Sequence, residues 1–103
     1  MKNKKLKGAT FNDIREWAKA RDLYKKGDVK TQYIKLLEES GELAKAILND
    51  NKLEIIDSIG DIVVVLTNLS HLAGYKIEDC IDQAYYEIIN RKGKMINGTF
   101  VKN

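Results

Sequence analysis

The chain has 103 residues, enough for a single hydrophobic core, so residues 1–103 read as one domain. With 44% apolar residues, no proline and one cysteine, it is neither a disordered chain nor a disulfide scaffold. The net charge of +3 is unevenly spread: Lys and Arg crowd both ends, while the stretch from Glu38 to Asp61 is acidic.

The basic start, Met1 to Lys7, is not followed by an apolar stretch and does not read as a signal peptide. Residues 1–9 are expected to be a flexible basic N-terminus. The longest apolar run, Ile62 to Leu66, is far short of the roughly 20 residues of a membrane span. A soluble, cytoplasmic protein with no membrane partner is the expectation. The lone Cys80 fits a reducing compartment and reads as a small buried residue.

Apolar spacing predicts four helices and a tail. The first runs from Thr10 or Asn12, either of which can cap it, to Tyr24, with Phe11, Ile14, Trp17 and Ala18 on its apolar side. Trp17 at this spacing reads as core, with stacking on a base as the other role open to it. Gly27 and Asp28 punctuate the chain, and Asp28 is the expected N-cap of the second helix. That helix carries Ile34, Leu37, Gly41, Ala44 and Leu48 on one face and ends at Asn49-Asp50-Asn51.

The third helix, Lys52 to Ala73, has a core stripe of Ile55, Ile59, Ile62, Leu66, Leu69 and Ala73. Ile56, Val63, Val64 and Val65 add apolar surface on its other sides, which predicts a central helix, a homo-oligomer, or both. Gly74 stops it. The fourth helix, Ile77 to Asn90, points Ile77, Ile81, Ala84, Tyr85 and Ile88 inward. In the basic tail, Arg91 to Asn103, Asn97-Gly98 is the signature of a tight hairpin turn. The fold class is all-α, a four-helix bundle-like domain with a short extended C-terminal tail.

On the second helix Lys35, Glu38, Glu39 and Glu42 fall within about 100° of arc, opposite the apolar face. Like charges three and four residues apart repel. Taken alone, they are an exposed acidic face relieved by Lys35 and Lys45. On the third helix, Glu54, Asp57, Asp61 and Asn68 lie within about 60° of arc on a helix otherwise rich in Ile, Val and Leu. A carboxylate close to a packed interior needs a partner or a metal. No Lys or Arg lies between Lys52 and Lys76, so the choice is a lysine from another helix or a bound cation. If the two acidic strips face each other, their oxygen donors suit Mg²⁺ or Mn²⁺; isolated His71 and Cys80 disfavour zinc.

The run Lys35-Leu36-Leu37-Glu38-Glu39-Ser40-Gly41-Glu42-Leu43, followed by Gly60-Asp61 opening an apolar stretch, resembles the all-α nucleotide pyrophosphohydrolases of the MazG type. The resemblance extends over roughly Gln32 to Asn90. It implies hydrolysis of nucleoside triphosphates between the α and β phosphates, giving a monophosphate and pyrophosphate. It also implies Mg²⁺ ligands at Glu39, Glu42 and Asp61, with Glu38 holding a second metal or orienting water. The family pattern pairs Glu-Glu-x-x-Glu with Glu-x-x-Asp, and here Ser58 stands where the second motif has Glu. Asp57, one turn before Asp61, or Glu54 is left to supply that ligand.

Lys35, Asn68, Arg91 and Lys92 are the candidate substrate contacts, with Lys94 beside the last two. Expected partners are a nucleoside triphosphate and further copies of the chain, as a homodimer or homotetramer. A catalytically weakened interaction module on the same fold is the alternative. A nucleic-acid binder using the basic ends is disfavoured by the acidic centre and the lack of a recognition motif.

Overall fold

The computed structural model describes residues 8–103, and the expectation for the basic N-terminus therefore lies almost wholly outside the described residues. Helix α1 spans Phe11–Ala20, α2 Leu23–Lys26, α3 Val29–Leu48, α4 Lys52–Leu72 and α5 Ile77–Ile88; strands β1, Gly93–Ile96, and β2, Thr99–Lys102, follow. The class is all-α, with the tail folded as a two-stranded ribbon.

Local signals set most of the boundaries. Thr10 caps α1 in a reciprocal box: its hydroxyl accepts from the Asp13 amide, and the Asp13 carboxylate accepts from the Thr10 amide. Asp28 caps α3 through the Thr31 amide, and Asn51 caps α4 through the Glu54 amide. Gly74, at φ +94°, ends α4, and the Tyr75 amide reaches back to the Ser70 carbonyl. Asn97 and Gly98, both at positive φ, join β1 to β2, with Ile96 opposite Thr99.

The predicted first helix is two helices, which makes five in all. Arg21 folds back onto α1: its guanidinium donates to the Trp17 carbonyl at 3.2 Å and lies 4.5 Å over the indole ring. One orphan carbonyl of the last turn is thereby satisfied. Asp22 then takes a left-handed conformation, φ 61°, and redirects the chain into α2. No proline or glycine marks this corner.

α4 is the central helix, in contact with each of the other four. Ala18, Ala46 and Val65 are its buried apolar neighbours or members, with small residues letting α1 and α3 approach closely. By length and composition α4 is also apolar enough to cross a membrane. Its inward face, however, carries buried Ser58, Thr67, Asn68 and Ser70. Thr67 and Ser70 satisfy their hydroxyls on the Val63 and Thr67 carbonyls, as the interior of a packed domain requires.

Several predicted core faces are exposed. On α3, Ile34, Leu37, Gly41, Ala44 and Leu48 face outward, and Gln32, Leu36, Glu39, Leu43 and Ala46 face α4. The helix has apolar residues on two sides, and the narrower side, which includes Glu39, is the one packed within the protomer. On α4, Ile55, Ile62 and Leu69 are partly covered, but Ile59, Leu66 and Ala73 are exposed. On α5 only Ile77 of the predicted inward set is partly covered, and every residue from Asp79 to Asn103 is exposed, Cys80 included.

α5 is tethered at its start. Arg15 of α1 makes a two-pronged pair with Glu78, Nη1 to Oε1 and Nη2 to Oε2, both 2.7 Å. The Arg15 hydrogen bond holds the Glu78 carboxyl at about 2, far below its ordinary 4.5. A lowered carboxyl stabilises the fold above its unfolded value, and that contribution disappears as pH falls through the folded value. Arg15→Met is therefore expected to lower Tm by an amount that is constant above pH 4.5 and shrinks towards pH 2. Thermal melts of both proteins across that range measure it; a difference independent of pH would refute the linkage.

Candidate functional site

The short turn Asn49–Asn51 makes α3 and α4 antiparallel neighbours. Glu39 and Asp61 stand equally far from that turn along their helices, which sets them at one level across the interface. Glu42 lies one turn nearer the connection on α3, and Asp57 one turn nearer on α4. The two acidic strips thus lie on facing helices, the condition that the sequence left open.

Glu39 is the central member. It is 7% exposed, and its Oε1 is fully enclosed with no hydrogen-bond partner. Its Oε2 lies 3.7 Å from Lys35 Nζ, an ion-pair neighbour too distant to count as a hydrogen-bond donor. Burial pushes the Glu39 carboxyl above its ordinary range, and the nearby Glu42 and Asp61 charges push it further. Asp61 is half-buried and also raised, by burial first, then by Asp57 and Glu42. Lys35 opposes both shifts without cancelling them. A lysine from another helix does reach the cluster, but the negative charge there exceeds what it supplies.

Glu38 is exposed, with Oε1 3.7 Å from the same Lys35 ammonium. Glu42 and Asp57 are exposed as well. Ser58 is buried in the α3–α4 interface at 2% exposure, so the residue in the family's Glu position is a small packing residue here. Among the described residues no three acidic, His or Cys side chains stand close enough to hold one ion as placed. Carboxylates that raise one another's pKa hold apart, and a cation is what draws such a set together. Hard oxygen donors and an enclosed, partnerless carboxylate oxygen fit a divalent cation of the Mg²⁺ type.

Besides a cavity of about 360 Å³ at the connection end, lined by Glu42, Lys45 and Glu54 among others, two cavities border the cluster on the α1 side. One, of about 270 Å³, is lined by Trp17, Leu23, Gln32, Lys35, Glu38, Val64, Val65 and Asn68 among others. The other, of about 380 Å³, is lined by Asp13, Ile14, Trp17, Asp61 and Val64. Trp17, placed in the core by its spacing, is 48% exposed and forms the wall between them. Asn68 is 1% exposed, with its Oδ1 accepting from the Tyr24 hydroxyl. Asn68 lies seven residues beyond Asp61, about 10 Å along the helix axis. Arg91 and Lys92 line neither cavity; both are exposed beyond the end of α5.

Tyr24 is the residue that sequence spacing missed. It pairs with a residue 44 positions away and stacks on His71 with ring centroids 3.9 Å apart, and no local pattern announces either contact.

A family model described as the MazG nucleotide pyrophosphohydrolase domain matches residues 28–96. A stretch of 60 residues is 38% identical to an uncharacterised 18.2 kDa protein from the rep–hol intergenic region of Haemophilus phage HP1 (strain HP1c1). That stretch covers 58% of this chain but only 37% of the phage protein, so the chain spans well under two thirds of that relative. No solved structure matches.

Proposed function

From the premise that this chain belongs to the MazG nucleotide pyrophosphohydrolase family, we propose that it cleaves nucleoside triphosphates to the monophosphate and pyrophosphate with Mg²⁺ bound at Glu39, Glu42 and Asp61. The observation that carries this reading is the enclosed Oε1 of Glu39, without a hydrogen-bond partner among the described residues, on a carboxyl that Glu42 and Asp61 are close enough to raise. That arrangement is costly in a protein that uses no cation there. Asp57 takes the place of the Glu absent at Ser58, since it couples to Asp61 from the preceding turn.

When bound, Mg²⁺ neutralises phosphate charge and lowers the pKa of a coordinated water. The protein's own groups do the rest. Glu38, exposed and facing the first cavity, accepts the proton of the attacking water, and Lys35 offers a cation to phosphate oxygens once nucleotide displaces its carboxylate neighbours. The nucleoside part extends along α4 towards Asn68, with Trp17 beside it as a stacking surface. Substrate in this orientation keeps its reacting phosphates at the carboxylate end.

The exposed apolar surface belongs with this function. A 12-residue helix and a lone hairpin are each marginal unless something covers them. Ile81, Tyr85 and Ile88 form one strip of α5, while Ile34, Leu37 and Leu48 form a bare aliphatic face on α3. Gly41 lies in that second face with open space where a Cβ would be, so nothing among the described residues uses the close approach it permits. A second copy, presenting the same two surfaces, is the occupant we assign to them. The expected assembly is a homodimer or homotetramer in the cytoplasm, where nucleotides and Mg²⁺ are plentiful.

The test is product identity. Incubation with ribo- and deoxyribonucleoside triphosphates, with Mg²⁺ or with chelator, is expected to yield monophosphate and pyrophosphate only when Mg²⁺ is present. Diphosphate and inorganic phosphate would reject this cleavage. Inactivity across the panel, with a Mg²⁺-induced rise in Tm retained, would favour a binding module, the reading that Ser58 at the family Glu position supports.

A further inference from the structure

The corner between α1 and α2 is built at a cost. Asp22 holds a left-handed conformation, φ 61°, which is strained for a non-glycine residue. Its side chain makes no capping bond in return. What the corner achieves is the placement of Tyr24, which leaves the line of α1 and reaches across to α4. There its ring stacks on His71, and its hydroxyl meets the buried Asn68 at 2.6 Å.

The tyrosine hydroxyl donates to Asn68 Oδ1, at a separation ordinary for an O–H···O bond. Nδ2 is the amide's remaining polar atom and bonds to no described residue. Asn68 lines the 270 Å³ cavity together with Gln32, Trp17 and Lys35. With Oδ1 taken by Tyr24, Nδ2 is the polar atom this side chain has left for a ligand in that cavity. An unpinned carboxamide would rotate between donor and acceptor faces at little cost. A pinned one offers a donor only.

We propose that Tyr24 is a positioning residue for nucleoside recognition: by holding Asn68 Oδ1 it fixes Nδ2 as a donor to an acceptor atom on the base or sugar of the substrate. The inference rests on the nucleotide reading above and adds to it a residue outside the acidic motifs. Tyr24 touches no substrate atom itself and acts through Asn68. The interaction is present in both ground and transition states, so its loss raises KM and spares kcat.

The experiment is steady-state kinetics on the full chain with its best nucleoside triphosphate and Mg²⁺, comparing wild type, Tyr24→Phe and Asn68→Asp. Tyr24→Phe keeps the ring on His71 and removes only the hydroxyl; KM is expected to rise about five- to tenfold, the worth of one hydrogen bond, with kcat within about twofold. Asn68→Asp keeps an acceptor for Tyr24 but removes the donor, and a rise at least as large is expected. The double variant should be no worse than Asn68→Asp alone, because both changes remove one contact. A lowered Tm with wild-type KM in either single variant would make the pair merely structural and overturn the proposal. If wild type hydrolyses no nucleotide, the functional reading fails and this inference falls with it. An active wild type indifferent to both substitutions sinks this inference alone.

Discussion

Glu39→Gln is expected to lower kcat for nucleoside triphosphate hydrolysis by about 10²–10³-fold, the scale seen when one transition-state charge stabiliser is lost. The same substitution should leave Tm in chelator unchanged or raised. The carboxyl of Glu39 is held above its ordinary range by burial and by Glu42 and Asp61, so in the metal-free protein its charge opposes folding. For such a raised group the cost is fully present above the folded pKa and relieved as pH falls through it. A neutral isostere removes that cost at every pH. Activity and metal-free stability should therefore move in opposite directions, as expected where a site is strained for function. The Mg²⁺-induced rise in Tm should vanish with the charge. Calorimetry with Mg²⁺, melting curves in chelator and initial rates read the three effects. Activity within tenfold of wild type, with the Mg²⁺ response intact, would remove Glu39 from the metal site.

Ile81→Asp should convert the assembly to monomers and weaken it more than any single surface change elsewhere. Burying an isoleucine side chain contributes about 1.5–3 kcal/mol, and in a symmetric pair the loss is counted on both copies. A total near ~5 kcal/mol corresponds to roughly a 10⁴-fold rise in the dimer dissociation constant. Size-exclusion chromatography with light scattering, run over a range of concentrations, gives the constant directly. Gln83→Ala, on another side of α5, is the control and should leave the mass unchanged. A wild-type protein that is monomeric at every concentration, or an Ile81→Asp variant with an unaltered mass, would mean that a second copy does not cover α5.

The sequence was most informative where a signal is local. The cap at Asp28, the choice of Thr10 or Asn12 before α1 and the Asn97-Gly98 turn each depend on a few adjacent residues, and the structure has Asp28, Thr10 and the turn in those places. The facing of the carboxylates was legible only as a condition. Two helices joined by a short turn place residues equidistant from it at one level, but the sequence does not say which faces meet. The choice of face on α3 was not legible. Helical period says which residues share a side, but Leu36, Leu43 and Ala46 compete there with Ile34, Leu37 and Leu48. Only packing decides between them. The break at Asp22 was hidden because it depends on Arg21 folding back over Trp17, not on a helix-breaking residue. Tyr24 and Asn68 meet through tertiary structure alone, and composition carries no distance that would place Arg91 and Lys92 relative to the two Trp17-lined cavities.

The β1–β2 ribbon has a further consequence. Two strands paired only with each other leave two open edges, each a row of amide and carbonyl groups without ladder partners. Met95 and Phe100 sit opposite one another across the pair and are largely uncovered. Lys94 and Lys102 place charge on the ribbon and oppose its pairing with a foreign strand. In the proposed assembly, a protomer separated from its neighbours carries an adhesive strip guarded by only a few charges. Dissociation then competes with aggregation, and the working lifetime of the protein becomes a rate set by concentration, as well as an equilibrium set by its core.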